Sequence, residues 1–363
     1  MARVRTTRTC NSTASRQPQP NEDQTLFNTL RWRFKRLRYL LQRVAGSVAH
    51  RGWRGTIARI ASEFQPRDSV DPAWNLLPLD VPFVPFSLPC DDEPQVSVII
   101  PVYGKLPYTL ACLRSIARHL PHASCEIIVV DDASADGSVD TLARIEGLHL
   151  VVNPHNLGFV GSCNAGAAAA RGQYLFFLNN DTQVTPGWLD ALLECFADEA
   201  GCGIAGSRLT YPDGRLQEAG GVVYANGEAW NYGRFEARND PRFLYRRDVD
   251  YITGAALMIE ATLFRSIGGF DSRYAPAYCE DMDLAFAVRA AGRRVVYQPT
   301  SVIVHCEGIS AGTDPFSGMK QYQGINRAKF TEKWSHQLAS QPANGTPVER
   351  AIDRKSTRLN SSH

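Results

Sequence analysis

The sequence predicts an α/β protein: a Rossmann-like, mostly parallel central sheet with helices on both faces. Two observations carry this. Short apolar runs recur as "VSVII" at 96–100, "EIIVV" at 126–130, "LHLVV" at 148–152 and "YLFFL" at 174–178. Between and after them lie segments whose apolar residues return at helical spacing. Strands alternating with helices make βαβ units. Their right-handed crossovers bring the C-terminal ends of the strands to one edge, where ligands of such sheets bind.

The elements follow in order. Residues 1–24 are polar and rich in Ser, Thr, Arg, Pro and Gln, and read as a disordered tail. In 25–46, Leu26, Phe27, Leu30, Phe34, Leu37, Leu40, Leu41 and Val44 recur at helical spacing among six basic residues. This is a basic amphipathic helix, the main part of an arm over 25–65. It either packs on the domain or as a coiled-coil arm, or lies on an anionic membrane surface. Residues 66–94 carry many prolines and read as a linker. The main domain starts near Gln95 and runs to about 335. Its first strand is closed by Pro101, and Leu106, Leu110, Leu113, Ile116 and Leu120 give the first helix face. Further helices are expected over 138–146, 158–170, 187–197, 281–291 and 318–334. Residues 336–363 read as a tail. Its last eleven residues, "DRKSTRLNSSH", resemble one reading frame of a sequencing-adapter oligonucleotide and are set aside. That implies a natural chain interrupted near Ile352.

Composition limits the function classes. The 363 residues carry a net charge of +2, with 44% hydrophobic and 21% charged residues, which excludes an overall nucleic-acid or acidic-partner protein. The nine cysteines are odd in number and form no C-x-x-C pair, which argues against a disulfide framework or a zinc site. A reduced, cytoplasmic setting fits. No stretch reaches the roughly 18–20 apolar residues of a membrane span, and no signal-peptide core is seen, so a soluble or peripheral protein is expected.

The strand ends hold the chemistry. Strand one leads to Pro101 and Tyr103, and strand two to Asp131, Asp132, Ser134 and Asp136. Asn153 and Asn156 follow strand three, and Asn179, Asn180 and Asp181 follow strand four. Such a crevice suits a nucleotide, with carboxylates for base and ribose and one for a metal on the phosphates. The competing reading is that these residues cap the next helices. It explains Asp136 with Gly137 and Ser138, but explains two consecutive acids poorly.

"VSVIIPVYG", "IIVVDDASADGS", "NLGFVGSCNAGAAAARGQYLFFLNND", "YITGAALMI", "GGFDSRY", "CEDMDLAFAVRAAG" and "VIVHCEGIS", in this order, resemble the family 2 inverting glycosyltransferases, and among them rhamnosyltransferase-like enzymes of bacterial surface polysaccharides. The resemblance covers about 95–335. It implies a GT-A fold with a nucleotide-binding half over 95–200 and an acceptor half over 201–335. It places Asp181 as the last carboxylate of the family's D-x-D metal motif, with Asn179 where an Asp is usual. It matches His305 to a late histidine that ligates the metal in relatives, and Asp281, with Glu280 beside it, to the base that takes the acceptor's proton. Gly254 matches a loop near the donor sugar. Pro101, Tyr103, Asp131, Asp132, Asn156, Gly158, Asn164, Asn179, Asn180 and Gly254 are the expected nucleotide-sugar contacts, with Asn164 as a loop anchor.

The implied cofactor is a divalent cation, Mn2+ or Mg2+, and an imidazole beside a carboxylate suits Mn2+ slightly better. The implied partners are a nucleoside-diphosphate-sugar and a glycan or lipid-linked acceptor, with membrane contact through 25–46 and no nucleic acid. Localisation is cytoplasmic, or peripheral at the inner face of the plasma membrane. Two other functions stay open. A sugar-phosphate nucleotidyltransferase would want a Gly-rich basic loop after strand one, where "PVYGKLPYT" offers one Gly and one Lys. An inactive glycan-binding or scaffold relative is favoured by Asn179 alone. Trp230 and Tyr232 are either sugar platforms or core aromatics.

Overall fold

The computed structural model describes residues 71–307 and 318–359, together with Val48, Trp53, Thr56 and Ile57. The tail 1–24, most of the arm 25–65, and Gly308 to Ser310 lie outside the described residues.

The chain lays down β1 (Val96–Val102), α1 (Leu106–Arg118), β2 (Cys125–Asp131), α2 (Ser138–Leu142), β3 (Leu148–Val152), α3 (Gly158–Ala169) and β4 (Tyr174–Leu178). β5 (Thr182–Val184), α4 (Asp190–Asp198), β6 (Cys202–Thr210), β7 (Leu216–Glu218), β8 (Gly221–Val223), β9 (Ala229–Asn231) and β10 (Arg247–Asp248) follow. The remainder is β11 (Ala256–Glu260), α5 (Ala261–Ser266), α6 (Glu280–Ala290), β12 (Arg294–His305), α7 (Tyr322–Lys333), α8 (Ser335–Leu338) and α9 (Val348–Leu359). The main sheet has the order β10-β12-β6-β11-β4-β1-β2-β3, with β5 on β12 and β7 on β6.

β1 pairs in parallel with β2 and β4, and β2 with β3. β11 is antiparallel to both β4 and β6, while β12 is parallel to β6. The six principal strands β1, β2, β3, β4, β6 and β12 therefore run the same way, and β11 is reversed among them.

The apolar runs of β1, β2 and β4 are continuous because both faces of these strands are covered, whereas the edge strand β3 stays partly exposed. Ile99, Ile128, Val130, Leu175 and Phe177 face one core with Val160, Cys163 and Ala167 of α3 and Phe286 and Val288 of α6. Their neighbours Val98, Ile100, Ile127, Val129, Phe176 and Leu178 face the other, with Leu110, Leu113 and Ile116 of α1 and Leu192 of α4. Each buried Phe of "YLFFL" contributes about 1.5–3 kcal/mol on the area scale.

Packing continues outside 95–335. Leu88 is buried, Leu77 exchanges hydrogen bonds with the Gln183 amide at 2.8 and 3.0 Å, and Leu88 N donates to Glu146 O. A Pro-rich extended strap can use apolar residues one at a time, without periodicity. Leu338, Val348, Ala351 and Ile352 join the core on the α3 and α6 side. Asp353 is exposed.

Candidate functional site

The C-terminal ends of the co-directed strands form one edge, and the reversed β11 starts at that same edge. Thr253, Gly254 and Ala255, which precede β11, therefore stand beside Asn179, which follows β4. The Asn179 N–H donates to Ala255 O at 3.0 Å. β5 pairs antiparallel with the end of β12, with Thr182 opposite His305. That register holds Asp181 against the imidazole.

The Asp181–His305 pair is compact. His305 Nε2 lies 3.2 Å from Asp181 Oδ1 and 3.5 Å from Asn179 Nδ2. Its Nδ1 is 3.0 Å from Gln217 Oε1, so Nε2 is the ring atom left facing the carboxylate. Asp181 and His305 are both buried. Burial opposes a charged ring, but the Asp181 carboxylate together with the Glu307 and Glu218 charges outweighs it and raises the His305 pKa above its usual value. Among the described residues, no three His, Cys, Asp or Glu side chains form a cation cage. One carboxylate and one imidazole held side by side still fit a cation whose remaining ligands come from a bound diphosphate and water.

On the nucleotide side the expected contacts divide. Asp131 is fully buried, its Oδ1 accepts from Ser134 N at 2.9 Å, and its Oδ2 has no partner. Ser134 Oγ in turn accepts from Gly104 N, next to the exposed Tyr103. Asp132 is used differently. Its Oδ1 accepts from Leu157 N and Asn153 Nδ2, and its Oδ2 from Gly158 N, each at 2.8 Å. It holds the entry to α3, so the capping reading applies to Asp132.

Gly158 has φ 71°, and a Cβ there would meet Pro276 Cβ at 2.5 Å. Its glycine is explained by this turn and close approach. Asn156 is exposed and its Oδ1 accepts from Gly158 N at 3.1 Å. Asn164 clamps Phe270 with Nδ2 to O at 2.8 Å and N to Oδ1 at 3.0 Å, so it anchors the 268–270 turn rather than its own glycine loop. Asn180 donates to Thr109 Oγ1 at 3.0 Å, tying the β4 end to α1. Pro101 sits within β1, opposite Val130. Tyr232 is buried edge-on to Phe243, which makes it a core aromatic, and Trp230 packs partly buried on the same core.

The acidic helix start is strained and under-satisfied. Tyr278 and Cys279 have φ of 78° and 72°, uncommon for side chains of this size, and turn the chain into α6. Asp281 Oδ1 accepts from Met282 N at 2.8 Å, and its Oδ2 lies 3.4 Å from Gly254 N. Glu280 is buried and its Oε2 has no partner. Burial raises both carboxyl pKa values, Glu280 further, with the Asp281 charge as its second cause. Asp283 serves packing: its carboxylate takes Tyr274 OH, Trp334 Nε1 and Lys333 Nζ at 2.9, 2.6 and 2.8 Å.

Three polar residues escaped the sequence reading. Glu218 on β7 is fully buried, accepts from Thr253 N at 3.1 Å and leaves Oε2 without a partner. Burial, helped by the Asp281 charge, pushes its pKa to about 8. Gln217 holds His305, and Glu307 holds Gln217 at 3.1 Å. The visible signal was faint: two adjacent polar residues in "LQEAGG", in a region without clear periodicity. Gly254 thus stands in one connected group. Asp281 meets Gly254, Ala255 meets Asn179, and Asn179 and Asp181 meet His305.

Residues 97–262 match the glycosyl transferase family 2 profile. The chain carries a family 2 glycosyltransferase domain. An uncharacterized protein of Sinorhizobium fredii is 31% identical over 243 residues, covering 63% of this chain and 27% of that relative. An N-acetylglucosaminyl-diphospho-decaprenol L-rhamnosyltransferase of Mycobacterium tuberculosis is 28% identical over 214 residues, covering 53% of this chain and 69% of the relative. A crystal structure of GalNAc-T7 with UDP, GalNAc and Mn2+ superposes with a TM-score of 0.54 at 16% identity, over 67% of this chain and 48% of that one. The shared architecture is the GT-A fold. The chain spans about a quarter of the Sinorhizobium relative and about half of GalNAc-T7. No described helix is long and apolar enough to cross a membrane.

Proposed function

We propose that the glycosyltransferase domain moves one sugar, with inversion, from a nucleoside-diphosphate donor to a hydroxyl of a cell-surface or lipid-linked glycan. The observation that carries this reading is the connected group from Asp281 through Gly254, Ala255 and Asn179 to His305 and Asp181. It puts a candidate base and a candidate cation site at one sheet edge. The family match supports the reaction class, the bound UDP and Mn2+ of GalNAc-T7 support the donor type, and the rhamnosyltransferase relative's name supports a lipid-linked acceptor.

Each residue has a stated task. Asp131, with its free Oδ2, receives an N–H of the base. Two strand spacings, roughly 10 Å, separate the β2 end from the β4 end, which suits a nucleoside lying across β1 with its diphosphate towards Asp181. Asp181 and His305 would hold a divalent cation, Mn2+ or Mg2+, which would stabilise negative charge on the leaving diphosphate. Asp281 takes the acceptor hydroxyl's proton, and burial holds its pKa nearer working pH than that of a free Asp. Gly254 N–H keeps the carboxylate turned towards the donor-sugar loop. The proposed setting is the cytoplasmic face of the plasma membrane, reached through the basic stretch 25–46.

The test is a panel of nucleotide-sugars with Mn2+, following released nucleoside diphosphate and the anomeric form of the transferred sugar. Diphosphate release with an inverted product is expected. Pyrophosphate exchange or no turnover on any donor refutes the proposal. Asp181→Ala should weaken metal-dependent donor binding about 10-fold or more.

A further inference from the structure

We propose that Gln217 is a positioning residue that fixes which nitrogen of His305 faces Asp181, and that Glu307 acts through Gln217. The inference takes its purpose from the cation site proposed above, but its argument is hydrogen-bond polarity alone.

Glu307 sets the polarity of the network. Its Oε2 receives Tyr211 OH at 2.8 Å, Arg234 Nη2 at 2.5 Å and Gln217 Nε2 at 3.1 Å. A carboxylate paired with a guanidinium can only accept. The Gln217 amide must therefore turn its NH2 towards Glu307. Its carbonyl oxygen is then the atom presented to His305, 3.0 Å from Nδ1. A carbonyl oxygen cannot donate, so Nδ1 must carry a hydrogen. In the neutral ring this leaves the lone pair on Nε2, the atom 3.2 Å from Asp181 Oδ1.

The arrangement matters because Asp181 by itself favours the opposite tautomer. A carboxylate beside Nε2 draws the ring proton to that atom, and a protonated nitrogen cannot ligate a cation. The Glu307–Gln217 pair biases the ring towards the form that can. Gln217 is buried, so its amide has no solvent route to an alternative partner. Glu307 is itself braced. Arg234 lies 5.1 Å from the Phe235 ring centroid, and Phe235 stacks on Tyr211 at 5.3 Å. The lock therefore joins residues on β7, after β6 and after β12, none of which lies in the "LNND" stretch.

The experiment measures Mn2+ uptake by the full chain in the presence of uridine or thymidine diphosphate, reading free Mn2+ by electron paramagnetic resonance. Gln217→Leu should weaken uptake about 10–100-fold, the usual range for an outer partner of a ligating histidine. Glu307→Gln should weaken it about 10-fold. The combined Gln217→Glu, Glu307→Gln chain restores an acceptor at 217 and a donor at 307. It should recover affinity to within a few-fold of wild type, which a residue serving only packing would not do. Thermal unfolding checks each variant, and if Gln217→Leu does not fold, Glu307→Gln and the swapped pair decide. Unchanged Mn2+ affinity in the single variants, or no recovery in the swapped pair, overturns the inference. A wild-type chain that takes up no Mn2+ refutes the cation site itself and this inference with it.

Discussion

Two pairs of adjacent acids, Asp131–Asp132 and Glu280–Asp281, stand at the same sheet edge and are treated differently by the fold. In the first pair Asp132 has a donor for both oxygens, and those donors are the turn into α3. Asp131 keeps one oxygen unpartnered. In the second pair neither acid forms an ion pair among the described residues, Glu280 has an orphaned oxygen, and burial raises both pKa values. The lesson is about satisfaction. A buried carboxylate supplied with N–H groups costs little and builds structure. One left short of partners costs stability, and persists where a ligand or a proton completes it.

The largest expected effect tests the second pair. Asp281→Asn keeps the shape but removes the base, so turnover should fall about 100- to 10,000-fold, the usual range for a general base, with nucleotide affinity unchanged. Glu280→Gln should lose less. Steady-state kinetics beside nucleotide titration checks both, and the opposite order would make Glu280 the base. Because the Asp281 pKa is raised, activity should fall, as pH drops, earlier than an ordinary Asp would allow.

The first pair gives the next effect. Asp132→Ala strips partners from Leu157 N, Gly158 N and Asn153, and should destabilise the fold by about 2–4 kcal/mol in denaturant unfolding. Asp131→Asn should leave stability nearly unchanged and weaken nucleoside-diphosphate binding about 10-fold, one hydrogen bond's worth. If both variants lose stability equally, the contrast within the pair disappears.

The smallest effect concerns Glu218. Its carboxyl stays protonated in the fold up to about pH 8, whereas the unfolded chain ionises near the ordinary value of 4.5. Above 4.5 the unfolded state binds fewer protons, so this group lowers stability as pH rises towards 8. Glu218→Gln should flatten that slope and be relatively more stable at pH 8 than at pH 5. Thermal midpoints across that range are the check, and parallel curves for both proteins would sink the assignment.

The strands and most helices were legible because their signals are local. "EIIVV" and "YLFFL" lie within the strands Cys125–Asp131 and Tyr174–Leu178, and the apolar spacing after Pro101 became the helix Leu106–Arg118. Asp181 and His305 were legible as residues through the family resemblance, and the structure sets them 3.2 Å apart. Gln217 and Glu218 were not, because a polar residue in a short irregular strand shows no period, and Glu307 was not, because it lies in the turn past β12 and its partners are named only by packing.

The sequence by itself determined the alternation of strands and helices, the edge at which polar residues gather, and the order of the family's motifs. These depend on side-chain periodicity within a dozen residues. Only the tertiary structure decided which carboxylates are satisfied. Asp132 meets an N–H 25 residues away, Asp281 one 27 away, and Asn179 a ring nitrogen 126 away. Hydrogen bonds act over about 3 Å in space and are blind to separation along the chain, so no local pattern can record whether a donor will arrive.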